Sequence, residues 1–190
     1  MKQSSPTAKY LRSHAEHEVV ERIALSRQYT HVACIPVCNE GKSLKTTLTT
    51  LADALGSQDA LVILIINARH DAPLEVHQNN EHCAHMLQDM ASLSSGDMVE
   101  GCFRGMGIVV VDRYSDGRRF PSKQGVGLAR KIIGDLAVAW MEDGLIKQRW
   151  IRCTDADARV PKDYWTRPLH PVADQAAVIY AFSHVPEGDE

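Results

Sequence analysis

From Val32 onward, apolar runs of four to seven residues alternate with longer segments of helical patterning, and this rhythm restricts the fold more than any other feature. The runs at residues 31–37, 61–66, 107–112, 150–154 and 177–182 predict strands. Segments 43–55, 74–90 and 123–142 predict helices, with Gly56, Gly96 and Gly144 as breaks. The order is β-α-β-α-β-α-β-α-β. Because the runs lack period-two alternation, both sheet faces are expected to be covered, which favours a mostly parallel sheet flanked by helices. An amphipathic helix is expected within residues 8–27, as a packing element or a leader, so the chain divides into an N-terminal helical leader (1–30) and one α/β domain (31–190).

A length of 190 residues suits a single core, and 44% hydrophobic with 24% charged residues excludes a disordered chain. The net charge of -3 supplies no global basic field for nucleic acid. No apolar run approaches the roughly 18 residues of a membrane span, and the amino terminus lacks the apolar stretch of a secretory signal. A cytoplasmic location is therefore expected, with the inner face of the membrane as the alternative. Five cysteines, Cys34, Cys38, Cys83, Cys102 and Cys153, are read as reduced thiols.

Parallel sheets bind ligands beyond the carboxyl ends of their strands. The segments there read PVCNEGKS, NARHDAP, DRYSDGRRFPSKQG and TDADARVP, all polar, and they are expected to converge on one edge. Gly41-Lys42-Ser43 is not a phosphate-binding P-loop, because Pro36 occupies the position of its first glycine and brings no N–H. The sharpest signal is Asp155-Ala156-Asp157, after the run ending at Thr154. In an extended segment the two carboxylates would share a face and address one hard cation; a solvated turn before Pro161 is the plain alternative. Arg130 and Lys131 follow a Gly-rich turn, where a fixed cation would oppose phosphate charge. Arg113, Arg118, Arg119 and Lys123 form a basic stretch that fits phosphate contact or a solvated loop equally well.

Four ordered segments resemble the nucleotide-binding half of family 2 glycosyltransferases, inverting enzymes of the GT-A (Rossmann-like) fold. Ala33-Cys34-Ile35-Pro36-Val37-Cys38-Asn39-Glu40 is similar to that family's first strand and P-x-Y-N-E turn, with Cys38 for the aromatic. Val62-Ile63-Leu64-Ile65-Ile66-Asn67 is similar to its second strand, with Asn67 where an acidic residue is usual. Gly125-Val126-Gly127-Leu128-Ala129-Arg130-Lys131 resembles its G-x-x-x-A-R-N helix start, and Asp155-Ala156-Asp157 with Pro161 and Tyr164 resembles its metal-binding D-x-D. Together they cover residues 31–165.

The resemblance implies transfer of a sugar from a nucleotide-diphosphate sugar to an acceptor, a sugar, lipid-linked sugar or small molecule, with inversion. It implies base and ribose near Pro36, Val37, Asn39, Glu40 and Asn67, and diphosphate between Arg130 and Mg²⁺ or Mn²⁺ held by Asp155 and Asp157. The family's general base lies downstream of the D-x-D in an acceptor half, which is expected to be missing from this chain. Two other readings remain: a nucleotide-binding module or fragment without catalysis, and a zinc protein built on His70, His77, His82, Cys83 and His85. The latter spacing matches no common zinc pattern, and the segment reads as a helix with Cys83, Met86 and Met90 toward the core.

Overall fold

The computed structural model describes residues 5–91, 96–167 and 177–183. Its strands are β1 (His31–Val37), β2 (Ala60–Asn67), β3 (Met98–Phe103), β4 (Met106–Arg113) and β5 (Ile151–Cys153). Its helices are α1 (Pro6–His14), α2 (Leu44–Asp53), α3 (Leu74–Ala91) and α4 (Val126–Glu142). The strands form one sheet in the order β3-β4-β2-β1-β5. β4, β2, β1 and β5 run parallel, and β3 returns antiparallel on β4. This is an α/β architecture with a mostly parallel sheet flanked by helices, compatible with a Rossmann-like fold.

The unbroken apolar runs bury both of their faces. Ile35, Val62, Leu64, Ile66 and Ile108 meet α2 and α3 on one side, through Leu44, Leu48, Leu51, Cys83 and Leu87. Cys34, Ile63, Ile65 and Val109 meet α4 on the other, through Ile132, Ile133, Leu136 and Trp140. Each fully buried aliphatic side chain contributes about 1.5–3 kcal/mol relative to exposure, so the two layers supply most of the driving force.

Three sequence expectations change. The helix expected within 8–27 starts earlier, at Pro6 with Ser5 Oγ accepting from Ala8 N, and ends at His14. Only a single 3-10 turn, His17–Val19, follows it. The rest packs as irregular chain, with Val19, Leu25 and Tyr29 entering the α4-side core. Residues 177–183 form no strand, and Ile179 and Phe182 are exposed. β3 was not anticipated. It closes a two-residue hairpin through Arg104 (φ 50°) and Gly105 (φ 85°), the left-handed pair that suits strand twist.

The path β1-β2-β4 steps across the sheet in one direction with α2 and α3 on one face. The chain then crosses back over α4 on the opposite face and places β5 on the far side of β1. The β1/β5 boundary is thus the topological switch point, where adjacent connections diverge and leave a crevice. Pro36 fits there because β5 pairs with β1 only as far as Cys34, whose carbonyl accepts from Thr154 N at 3.3 Å. Two residues on, Pro36 aims its missing N–H toward a side where the ladder has ended.

Candidate functional site

A cavity of about 220 Å³ opens at this boundary, lined by Pro36, Cys38, Glu40, Asn67, Val126, Asp155, Ala156 and Asp157. Its walls come from the ends of β1, β2 and β5 and from the first residue of α4. Of the expected site residues, Pro36, Glu40, Asn67, Asp155 and Asp157 are brought together here. Val37 is fully buried in the core beneath α2 and α3 and is not part of the lining. Asn39 is exposed just outside the cavity, in a left-handed conformation (φ 66°) that Asn tolerates better than most residues.

The Asp155-Ala156-Asp157 segment is a turn rather than an extended strand, closed by Ala158 N donating to Asp155 O at 3.3 Å. Both carboxylates still line the cavity because Ala156 between them is buried. α2 fixes this turn: buried Thr47 donates Oγ1 to Ala156 O at 2.7 Å, and Thr50 Oγ1 accepts from Val160 N at 3.3 Å. Trp165 then anchors the following segment, with Nε1 donating to Leu51 O at 2.9 Å.

Three carboxylates around one cavity accumulate negative charge. Burial, reinforced by Asp157 and then Asp155, holds the Glu40 carboxyl above the ordinary glutamate range. Arg130, in the second turn of α4, forms an ion pair through Nη2 with Asp155 Oδ1. Asn67 is almost fully buried, and its Oδ1 has no hydrogen-bond partner within the protein. A buried acceptor without a donor is uncommon in folded proteins.

Lys131 does not join this site. Its Nζ turns to the N-terminal segment, donating to His14 O at 2.7 Å and pairing with Asp135 at 2.7 Å and Glu16 at 3.2 Å. Most of the basic stretch is paired as well: Arg113 with Glu18, Arg118 with Asp97 and Asp112, and Arg119 with Asp116, while Lys123 is exposed. Phe120, fully buried, pins that loop by donating its N–H to Ala68 O at 2.9 Å.

Among the described residues, no three His, Cys, Asp or Glu side chains are arranged to hold a metal ion. For His70, His77, His82, Cys83 and His85 the helix explains this: Cys83 is fully buried under α3, whereas His82 and His85 face outward. All five cysteines are free; Cys34 and Cys83 are buried, and the other three are exposed. A larger cavity of about 340 Å³ lies against β3 at the opposite end of the sheet. Its polar lining is already satisfied, with Glu100 accepting from Ser26 N, Ser26 Oγ and Tyr29 Oη. No helix among the described residues is long and apolar enough to cross a membrane.

The sequence reading missed the residues that hold the β1–α2 loop. Asn80, fully buried on α3, accepts from Asn39 N at 2.9 Å through Oδ1 and donates through Nδ2 to Asn67 O at 2.9 Å. Its neighbour Asn79 accepts from Gly41 N at 2.8 Å. Two consecutive asparagines inside a long helix were the available signal, since Asn is a poor helix former. These bonds also consume the amides that a P-loop would offer to phosphate.

The fold and cavity together define an open-sheet α/β protein with a polar, carboxylate-lined crevice at its switch point. No protein-family model matches the chain, and no curated protein or solved structure is significantly similar to it.

Proposed function

We propose that this chain is the donor-binding domain of a metal-dependent glycosyltransferase of the GT-A fold, taking a nucleoside-diphosphate sugar at the β1/β5 crevice. One observation carries the reading: Pro36, Glu40, Asn67, Asp155 and Asp157, from three strand ends, line one cavity at the switch point. In this reading the nucleoside lies against Pro36 and Asn67, which line the cavity. Arg130 reaches the same mouth and offers a guanidinium to the diphosphate. A volume of about 220 Å³ encloses only part of such a ligand, and the remainder would rest on the open rim.

The donor set suits Mg²⁺ or Mn²⁺, which take a few carboxylate oxygens and complete their shell with phosphate and water. Asp155 and Asp157 would hold the ion, and Glu40 lines the same cavity. When bound, the cation neutralises charge on the departing diphosphate. No residue described here is assigned as the general base of the transfer.

The test is calorimetric titration with UDP, GDP and their sugar conjugates, in Mn²⁺ and in EDTA, for the wild type and for an Asp155→Ala/Asp157→Ala variant. Metal-dependent binding lost in the variant is the expected result. Absence of binding by the folded protein, or equal binding in EDTA, would overturn the assignment. Binding without consumption of the sugar conjugate would mark a nucleotide-binding module instead.

A further inference from the structure

We infer that Asn79 and Asn80 are positioning residues that set the geometry of this cavity from outside it, an inference that rests on the donor-site reading for its ligand. Glu40 sits between two residues whose backbone N–H groups are each taken by an α3 side chain: Asn39 by Asn80 and Gly41 by Asn79. The same Asn80 holds the carbonyl of Asn67. One helical turn thereby locks the wall after β1 to the wall after β2, the two walls that carry Glu40 and Asn67.

The fit is tight. A Cβ on Gly41 would lie 2.3 Å from Asn79 Oδ1, so this position accepts no other side chain without breaking the bond. Asn80 has no exposed surface, and its two hydrogen bonds go to backbone groups of other elements rather than to its own helix. Removing it would leave an amide and a carbonyl beside the cavity without partners. The left-handed turn at Asn39 would then lose the contact that holds it. Neither asparagine lines the cavity, so an effect on binding passes through the loop.

The experiment compares wild type, Asn79→Ala, Asn80→Ala and Val99→Ala, the last a core truncation in β3 that serves as a destabilised control. Amide hydrogen exchange is followed at Asn39 and Gly41 without ligand, alongside thermal midpoints and titration with UDP in Mn²⁺. Both amides should be protected in the wild type. Gly41 should exchange rapidly in Asn79→Ala and regain protection in Asn79→Asp, which keeps the acceptor. UDP should bind Asn79→Ala about 3- to 10-fold more weakly, the range of one lost hydrogen bond. Val99→Ala should lower the midpoint with no change in affinity.

Rapid exchange at both amides in the wild type would overturn the inference even if nucleotide binds. So would unchanged affinity in folded Asn79→Ala and Asn80→Ala, or an equal loss of affinity in Val99→Ala. A protein with both amides protected that binds no nucleotide would instead overturn the donor-site reading alone.

Discussion

Arg130 of α4 forms an ion pair with Asp155, a residue of the cavity lining in the turn after β5. Both are substantially exposed, so the pair is weak and exchangeable. In the proposed site Asp155 belongs to a cation and Arg130 to a diphosphate, and each ligand arriving alone must break the pair. Arg130→Ala should therefore raise the affinity of the nucleotide-free protein for Mn²⁺ by up to about 5-fold, the span of an exposed pair. The same change should weaken UDP binding in Mn²⁺. Mn²⁺ electron paramagnetic resonance and calorimetry read the two effects, and shifts of the same sign would refute the exchange.

Asp157 is exposed and makes no core contact, so Asp157→Ala should change stability by no more than about 0.5 kcal/mol. Metal-dependent nucleotide binding should nevertheless disappear. Circular dichroism with calorimetry separates the two, and a variant that keeps wild-type affinity in Mn²⁺ would remove Asp157 from the site.

At the other end of the sheet, the Tyr29 ring lies directly on Gly107 of β4. A Cβ there would meet Tyr29 atoms at 2.4 Å, so Gly107→Ala must displace a buried aromatic ring. Overpacking of this kind costs about 1–3 kcal/mol, which chemical denaturation can measure. The double variant Gly107→Ala/Tyr29→Leu should recover part of that loss; no recovery would place the strain elsewhere.

Burial and then the hydrogen bond to Glu100 push the Tyr29 phenol from 10.0 up to about 12. The folded protein therefore retains a proton that the unfolded chain loses in this range, and unfolding releases it. Stability from this group is complete below pH 10 and falls as pH rises toward 12, at up to about 1.4 kcal/mol per pH unit. Tyr29→Phe should flatten the alkaline limb of the stability curve. A limb of unchanged slope would show that other groups carry it.

The sequence made the central strands legible because burial on both faces leaves no polar interruption. Residues 31–37 match β1 at both ends, and 61–66 differ from β2 by one residue at each end. β3 was invisible for the opposite reason. It is an edge strand with Glu100 and Gly101 in the middle and Val99 as its one buried residue, so no apolar run marks it. The mostly exposed run Val178-Ile179-Tyr180-Ala181-Phe182 misled in turn, since apolar composition alone does not make a strand.

Around the candidate cavity, Glu40, Asn67, Asp155 and Asp157 were readable because they are polar residues at or within a few positions of the ends of apolar strands. Val37 and Lys131 illustrate what position along the chain leaves open. Val37 points into the core, and Lys131 is one residue from Arg130 but about 100° around the helix, which turns it toward Glu16 and Asp135. The role of Asn80 depends on two backbone groups remote in sequence.

The crossover that places β5 beside β1 makes the cavity depend on the last and least paired strand of the sheet. The bond that seats the Asp155–Asp157 turn on α2 joins residues 109 positions apart, and β5 is tied to β1 by only three register pairs. The crevice exists only while this strand stays docked, because Asp155, Ala156 and Asp157 after it form part of the lining. A ligand bound there would act as a clasp on the sheet's thinnest seam. It would slow the opening of β5 and shield amides it never touches, making occupancy of the site visible as rigidity along an entire edge of the molecule.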